Sequence, residues 1–309
     1  MAEKYRVMTR GDLDGVVSAA LLKSQGLVSE ITFAEPNEVQ SGKLPVTDKD
    51  ILANLPYMPS AHLAFDHHAS EVERLGQKPA NLVLDPAASS AARVIWAHYG
   101  GKGAFPRVPQ ELMESVDAAD AAQYTEFEEV FEPTGWVLLG YILDPRTGLD
   151  ELKFKTSPDD LRRKLVDMVL VKSPDDILKQ SDVKERVERY FEEEAKAREQ
   201  VKRNATVHGN LVVVDFRTET TIHPVNRFVI YTMYPKQNIS MTVTSEPATS
   251  RTVFAVGRSI LNPTSKTHVG NLMLQYGGGG HAGAGTCRVA NDQAERVMGE
   301  LVARITADG

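Results

Sequence analysis

Phe65-Asp66-His67-His68 is the stretch on which the fold turns. The apolar run His62 to Phe65 ends abruptly in one carboxylate and two imidazoles. Upstream, a short apolar run from Lys4 to Met8 leads into Arg10-Gly11-Asp12-Leu13-Asp14-Gly15. Both runs read as strands, and both place metal-ligating side chains just past their ends.

Outward from these ends, strands alternate with helices. Glu30–Ala34, Asp50–Leu55 and Asn81–Leu84 read as further strands, and Gly15–Ser24, Ala87–Tyr99 and Pro109–Asp120 as helices. The strand runs are apolar throughout rather than alternating, which predicts a parallel sheet with helices on both faces. On such sheets functional groups gather beyond the carboxyl ends of the strands. Asp12, Asp14, Asn54, Asp66, His67 and His68 all fall there. Asp117 and Asp120 lie three apart, on one helix face.

From Trp136 to Arg203 the pattern is helical. Asp175–Asn204 reads as one long amphipathic helix, with the charged run Glu192 to Lys202 as its solvated face. After Ala205 the strands return at Leu211–Phe216, Val229–Thr232, Ile239–Thr244 and Val253–Val256. Arg258-Ser259, the glycine run Gly277 to Gly280 with His281, and a closing helix Asp292–Ile305 follow. The expected organisation is α/β: a parallel-sheet domain over 1–155, a helical connector over 156–203 and a smaller α/β domain over 204–309.

Composition narrows the class. With 309 residues, 42% hydrophobic and 25% charged, the chain can bury a sizeable core. A net charge of -7 argues against broad binding of long nucleic acid, which leaves a basic footprint. One cysteine, Cys287, excludes an internal disulfide and suits a reducing compartment. No apolar run approaches the roughly 20 residues that span a bilayer. The start, Met1 to Arg10, lacks the apolar core of a signal peptide. A cytoplasmic protein without membrane attachment is expected.

Carboxylates with an imidazole suit a divalent ion of the Mn, Zn, Co or Fe type, and oxygen ligands alone suit Mg or Mn. Asp12 and Asp14 at one strand end, His67 at another and Asp120 on a helix would together hold such an ion. A pair of ions would clamp a phosphoryl group and activate water. Four glycines in a row let backbone N–H groups approach an anion, and His281 and Arg258 would add charge-assisted bonds.

These motifs resemble the DHH phosphoesterase superfamily, named for the triplet found here at Asp66-His67-His68. Arg10-Gly-Asp-Leu-Asp-Gly resembles its first motif and Val116-Asp-Ala-Ala-Asp120 its fourth. Val256-Gly-Arg258-Ser259 and Gly277-Gly-Gly-Gly280-His281 resemble the DHH-associated domain. The two motif sets cover nearly the whole chain. They resemble the two-domain branch that holds nano-RNases, phosphoadenosine phosphatases, cyclic-dinucleotide phosphodiesterases and exopolyphosphatase-like proteins.

The resemblance implies a Mn2+-dependent phosphohydrolase, with one or two ions and with Mg2+ or Co2+ as substitutes. Its active site would lie in the cleft between domains and act on a short substrate: nano-RNA, a dinucleotide, a nucleoside bisphosphate or polyphosphate. Asp12, Asp14, Asn54, His67 and Asp120 would be the metal ligands. His68 would face the scissile phosphate, and Asp66 would orient a histidine. Arg258, Ser259, Gly278, Gly279, Gly280 and His281 would hold the rest of the substrate. The branch also admits a homodimer. Two positions depart from the pattern: Met8 stands where many members have histidine, and Asn54 where they have a bridging aspartate. Asp48 and Asp50 are runners-up for that bridge. These departures motivate the alternative of a relative that binds a nucleotide or phosphate without hydrolysis.

Overall fold

Tyr5–Thr9 forms β1, part of a five-stranded parallel sheet ordered β2-β1-β3-β4-β5. The other strands are Val28–Phe33 (β2), Asp50–Ala53 (β3), Leu63–Asp66 (β4) and Leu82–Leu84 (β5). The computed structural model describes residues 3–124 and 126–309. Its chain divides into two compact units: the first runs to Gln123 and includes Pro133–Arg189, and the second comprises Tyr124–Glu132 and Tyr190–Gly309.

The register of the sheet determines which face each side chain serves. Met8, Leu52, Ala64 and Leu82 lie side by side across β1, β3, β4 and β5. They form one buried apolar layer with Val39, Leu55 and Tyr57. Met8 is fully buried in that layer, so a residue there is committed to the core and not to the strand ends. Because strand side chains alternate, the next row, from Thr9 through Ala53 and Phe65, serves the opposite face.

That face receives helix α1 (Leu13–Ser24), which also packs against α4 (Ala91–His98), α5 (Gln110–Asp120) and α8 (Pro158–Val166). Val16, Val17, Leu21 and Leu22 of α1 are fully buried. Each contributes about 1.5–3 kcal/mol by leaving water, before conformational entropy is charged against it. The short helices α2 (Pro36–Gln40) and α3 (Ala69–Leu75) precede α4 in the chain.

The turn into α1 explains Gly15. A Cβ there would lie 1.8 Å from the Arg10 carbonyl oxygen, so the Asp-x-Asp-Gly pattern is sterically required where strand meets helix. Asp12 caps α1, its Oδ1 accepting from Gly15 N at 3.0 Å. Helix α4 begins at Ala91, later than the expected Ala87, because Ser90 caps it by accepting from Arg93 N at 3.0 Å.

The remaining helices of the first unit are α7 (Gly135–Leu143), α9 (Pro174–Leu178) and the start of α10 (Ser181–Asn204). The long helix expected over Asp175–Asn204 is therefore interrupted. Ser173 caps α9, which closes at Lys179, and a new helix starts at Ser181. The solvated face expected over Glu192–Lys202 is present in part, with Glu192, Lys196, Glu199 and Lys202 exposed. Glu193 and Glu194 are buried, the first against His223 and Lys196, the second against Arg198, so paired charges line an inner face.

The second unit holds a mixed six-stranded sheet ordered β10-β11-β9-β8-β7-β6. Its strands are Ala205–His208 (β6), Leu211–Asp215 (β7), Ile239–Glu246 (β8), Arg251–Arg258 (β9), Gly279–Gly280 (β10) and Ala284–Ala290 (β11). Helices Phe127–Phe131 (α6), Val229–Met233 (α11), Val269–Leu274 (α12) and Ala294–Asp308 (α13) complete it. Val229–Thr232 was expected as a strand and is helical. Asn226 starts the turn, its Oδ1 accepting from Phe228 N and its carbonyl from Val229 N. Burial of Val229, Ile230 and Tyr231 then outweighs their strand preference. Among the described residues no helix is long and apolar enough to cross a membrane.

Candidate metal centre

The carboxyl ends of β1, β3 and β4 bring Asp12, Asn54, Asp66 and His67 to one edge of the first sheet. Asp14 follows in the first turn of α1, and Asp120 closes α5. Ligand atoms of Asp14, His67 and Asp120 lie within 4.8 Å of one another.

Each member of this triad has a defined setting. Asp14 Oδ2 accepts from Ala91 N at 3.1 Å and Oδ1 from Ala92 N at 2.7 Å, so its carboxylate sits on the positive N-terminus of α4. His67 Nδ1 lies 3.2 Å from the Ala88 carbonyl oxygen. That bond places a proton on Nδ1 and leaves the Nε2 lone pair facing the centre. His67 Nε2 is 2.7 Å from Asp120 Oδ2, yet neither atom makes a well-aimed hydrogen bond, and both are buried. Two acceptors that converge in this way fit a shared cation.

The electrostatics agree. Burial pushes Asp14 well above the ordinary carboxylate range, and the charges of Asp120 and Asp12 add to it. Burial likewise raises Asp12, helped by Asp120 and opposed by Arg10 and Arg146. Burial opposes the charge of His67, but Asp120, Asp14 and Asp66 outweigh it and lift its pKa to about 9. Burial also opposes ionisation of Asp120, and His67 more than offsets it, holding Asp120 below its ordinary value. The site thus gathers negative charge in a water-poor place and demands a positive partner. Two carboxylates and one imidazole suit a divalent ion such as Mn2+ or Mg2+.

Asp66 serves the next residues. Its Oδ1 accepts from His67 N at 2.8 Å and lies 2.7 Å from His68 Nδ1. His68 is half exposed, its ring fixed by this carboxylate. Asp12 uses Oδ1 as the helix cap, and its Oδ2 is buried without a hydrogen bond. Asn54 follows β3 at φ 53°, donates its backbone N–H to Phe65 O at 3.2 Å, and has a buried, unpaired Nδ2. The runner-up Asp50 is excluded. It lies at the opposite end of β3, bonded to Arg6 Nε at 2.7 Å and to Thr47 N at 2.7 Å. Asp48 precedes it on the surface.

In the second unit, Arg258 donates from Nε to Thr267 O at 2.9 Å. Ser259 is buried, its hydroxyl accepting from Asn262 N at 3.0 Å. The glycine run is demanded by close backbone packing. A Cβ on Gly278 would meet Thr286 O at 2.1 Å, and one on Gly280 would meet Ala284 O at 2.2 Å. Gly279 has open space, and His281 is exposed. Cys287 is packed in the core, on the inward-facing row of β11.

Over nearly its whole length this chain is similar to a solved pGpG-specific phosphodiesterase, PggH, from Vibrio cholerae. Identity is 47% over 99% of this chain and 100% of that one, with a TM-score of 0.85. The chain belongs to the DHH phosphoesterase superfamily. RecJ of Thermus thermophilus, solved in complex with Mn2+, shares the fold at 14% identity and a TM-score of 0.53, over 98% of this chain and 52% of RecJ. A scan against protein-family models and a search of the curated proteins each find no match.

Several residues around this DHH centre carry no motif in the sequence. Arg162 is buried and donates from Nε to Gly11 O at 2.6 Å and from Nη2 to Leu143 O at 3.0 Å. It also pairs with Asp150, behind which lies Arg186. This guanidinium joins the loop that carries Asp12 to the loop that carries Asp144 and Arg146. Topology, not local spacing, assembles that set.

Proposed function

We propose that this chain is a metal-dependent phosphodiesterase whose substrate is pGpG, the linear guanosine dinucleotide with a 5′-phosphate, and that Mn2+ is its working ion. The observation that carries the hydrolytic part is the buried Asp14–His67–Asp120 triad with two converging unpaired atoms. The similarity to PggH over the full chain supports the choice of dinucleotide.

A divalent ion at the triad would supply Lewis-acid polarisation of a phosphoryl oxygen and a low-pKa water. The chain's own residues do the rest. Ala88 holds the His67 tautomer. Asp14 and Asp120 balance the ion's charge, with Asp12 beside them. Asp66 holds the His68 ring through Nδ1, and the ring in its doubly protonated form would donate from Nε2 to a phosphoryl oxygen as negative charge grows there. Water adds to phosphorus, the P–O3′ bond breaks, and the O3′ leaving group takes a proton. The balance is pGpG plus water to two GMP.

The test is chromatography of products after metal-stripped protein is given pGpG with Mn2+, Mg2+ or Co2+. GMP is expected with Mn2+ and none with chelator. Absence of GMP under all three ions refutes the proposal. Cyclic diguanylate and GpG, run alongside, report whether the free 5′-phosphate is read.

A further inference from the structure

Two cations stand against the acidic centre, and neither the triad nor His68 uses them. Arg10 lies two residues before Asp12. Its Nε is 3.6 Å from Asp12 Oδ2, and its Nη2 is 3.6 Å from Glu35 Oε2. These separations are too long for good hydrogen bonds, and the Nε is buried without an acceptor. Arg146 belongs to the loop after α7. Asp144 Oδ1 accepts from its backbone N at 2.9 Å and from its Nε at 2.7 Å. This clamp fixes the guanidinium and leaves both terminal nitrogens without an acceptor among the described residues. Its positive charge is felt at Asp120, Asp12 and Glu35. Arg162 ties Gly11 and Leu143 to one guanidinium, so the two loops that carry Arg10 and Arg146 run side by side.

A buried guanidinium donor without an acceptor is costly, and carboxylates held at 3.6 Å do not satisfy it. Cations beside the triad also oppose a metal there, so they weaken the very ion the acids attract. Both costs vanish when a group with several anionic oxygens arrives. A phosphoryl group presents such oxygens in the geometry that a guanidinium fork accepts.

We infer that Arg10 and Arg146 form a guanidinium clamp that contacts the phosphoryl oxygens of the substrate beside the Asp14–His67–Asp120 triad. Asp144 and Arg162 are the residues that position it. The clamp rests on the phosphoester reading above but not on the identity of the nucleoside.

The experiment compares wild-type protein with Arg146→Met in two titrations. Inorganic phosphate is titrated into Mn2+-loaded protein by calorimetry, and Mn2+ into metal-free protein by electron paramagnetic resonance. Loss of one charge-assisted fork should weaken phosphate binding about tenfold or more. Mn2+ affinity should stay the same or rise, because a repelling cation is gone. A merely structural role would lower both affinities together, and that result overturns the clamp. Unchanged phosphate affinity overturns it as well. Arg146→Lys keeps the charge but not the fork, so it should bind phosphate more weakly than wild type; phosphate affinity equal to wild type refutes the fork. Arg10→Met carries the same expectations and keeps the test decisive should Arg146→Met not fold. Neither titration uses pGpG, so failure of the dinucleotide proposal would appear separately, as absent GMP with the clamp intact.

Discussion

Arg162→Met removes a buried guanidinium and keeps a side chain of similar length. The Gly11 and Leu143 carbonyls then lose their donors at 2.6 and 3.0 Å, and among the described residues Asp150 keeps Arg186 at 3.6 Å. Breaking a buried pair costs about 3–5 kcal/mol. Asp150 is about one-fifth exposed, so water recovers part of that and the lower end, about 3 kcal/mol, is expected. The Asp159 pair adds little because that carboxylate is half exposed. Urea unfolding with a probe in the first unit would read the loss. Mn2+ affinity should fall in parallel, since Arg162 holds the loop that ends in Asp12. Gly11→Ala is a companion, because its Cβ would lie 2.8 Å from the Arg162 guanidinium carbon. A loss below about 1 kcal/mol with unchanged Mn2+ binding would refute the positioning role, since that is the range of an ordinary surface pair.

Other expectations follow from the same contacts. In metal-free protein the folded His67 pKa of about 9 lies above its ordinary value of 6.5. The folded state therefore binds more protons between these values. The stability from His67 is whole below pH 6.5 and is lost as pH rises through about 9, which thermal melts of the stripped chain would show. Mn2+ must displace that proton, so its apparent affinity should rise about tenfold per pH unit up to the His67 pKa, measurable by calorimetry. Asp50→Asn breaks the Arg6 and Thr47 contacts at the far end of β3 and should cost about 2 kcal/mol of stability without altering Mn2+ binding. Gly280→Ala drives a Cβ into the Ala284 carbonyl and should destabilise the second unit by about 1–3 kcal/mol in denaturant melts.

Much of the first unit was legible in the sequence because strand ends carry their own signals. An apolar run stopped by Asp-His-His, and another stopped by Asp-x-Asp-Gly, each name a strand, its end and the chemistry placed there. Asp120 was legible through its helix and motif. Met8 shows where spacing stops: its role in the core follows from a register shared with Leu52, Ala64 and Leu82, which one strand cannot reveal. Arg146, Asp144, Glu35 and Arg162 are invisible for the same reason. Each is an ordinary charged residue until the topology brings its loop to the centre. Val229–Thr232 misled because strand-favouring residues were held in a short helix by an asparagine turn and burial. The long helix misled in part: Glu192, Lys196, Glu199 and Lys202 face water, but Glu193 and Glu194 are paired inside.

Metal binding by the triad is the claim on which everything else depends. Equilibrium titration of Mn2+ into stripped wild-type protein, His67→Ala and Asp120→Asn, followed by electron paramagnetic resonance, addresses it directly. Tight binding by wild type should be reduced about a hundredfold or more in both variants, since each removes one of three ligands while the fold persists by circular dichroism. Equal affinity in all three proteins would show that the metal, if bound, is held elsewhere, and would contradict the account.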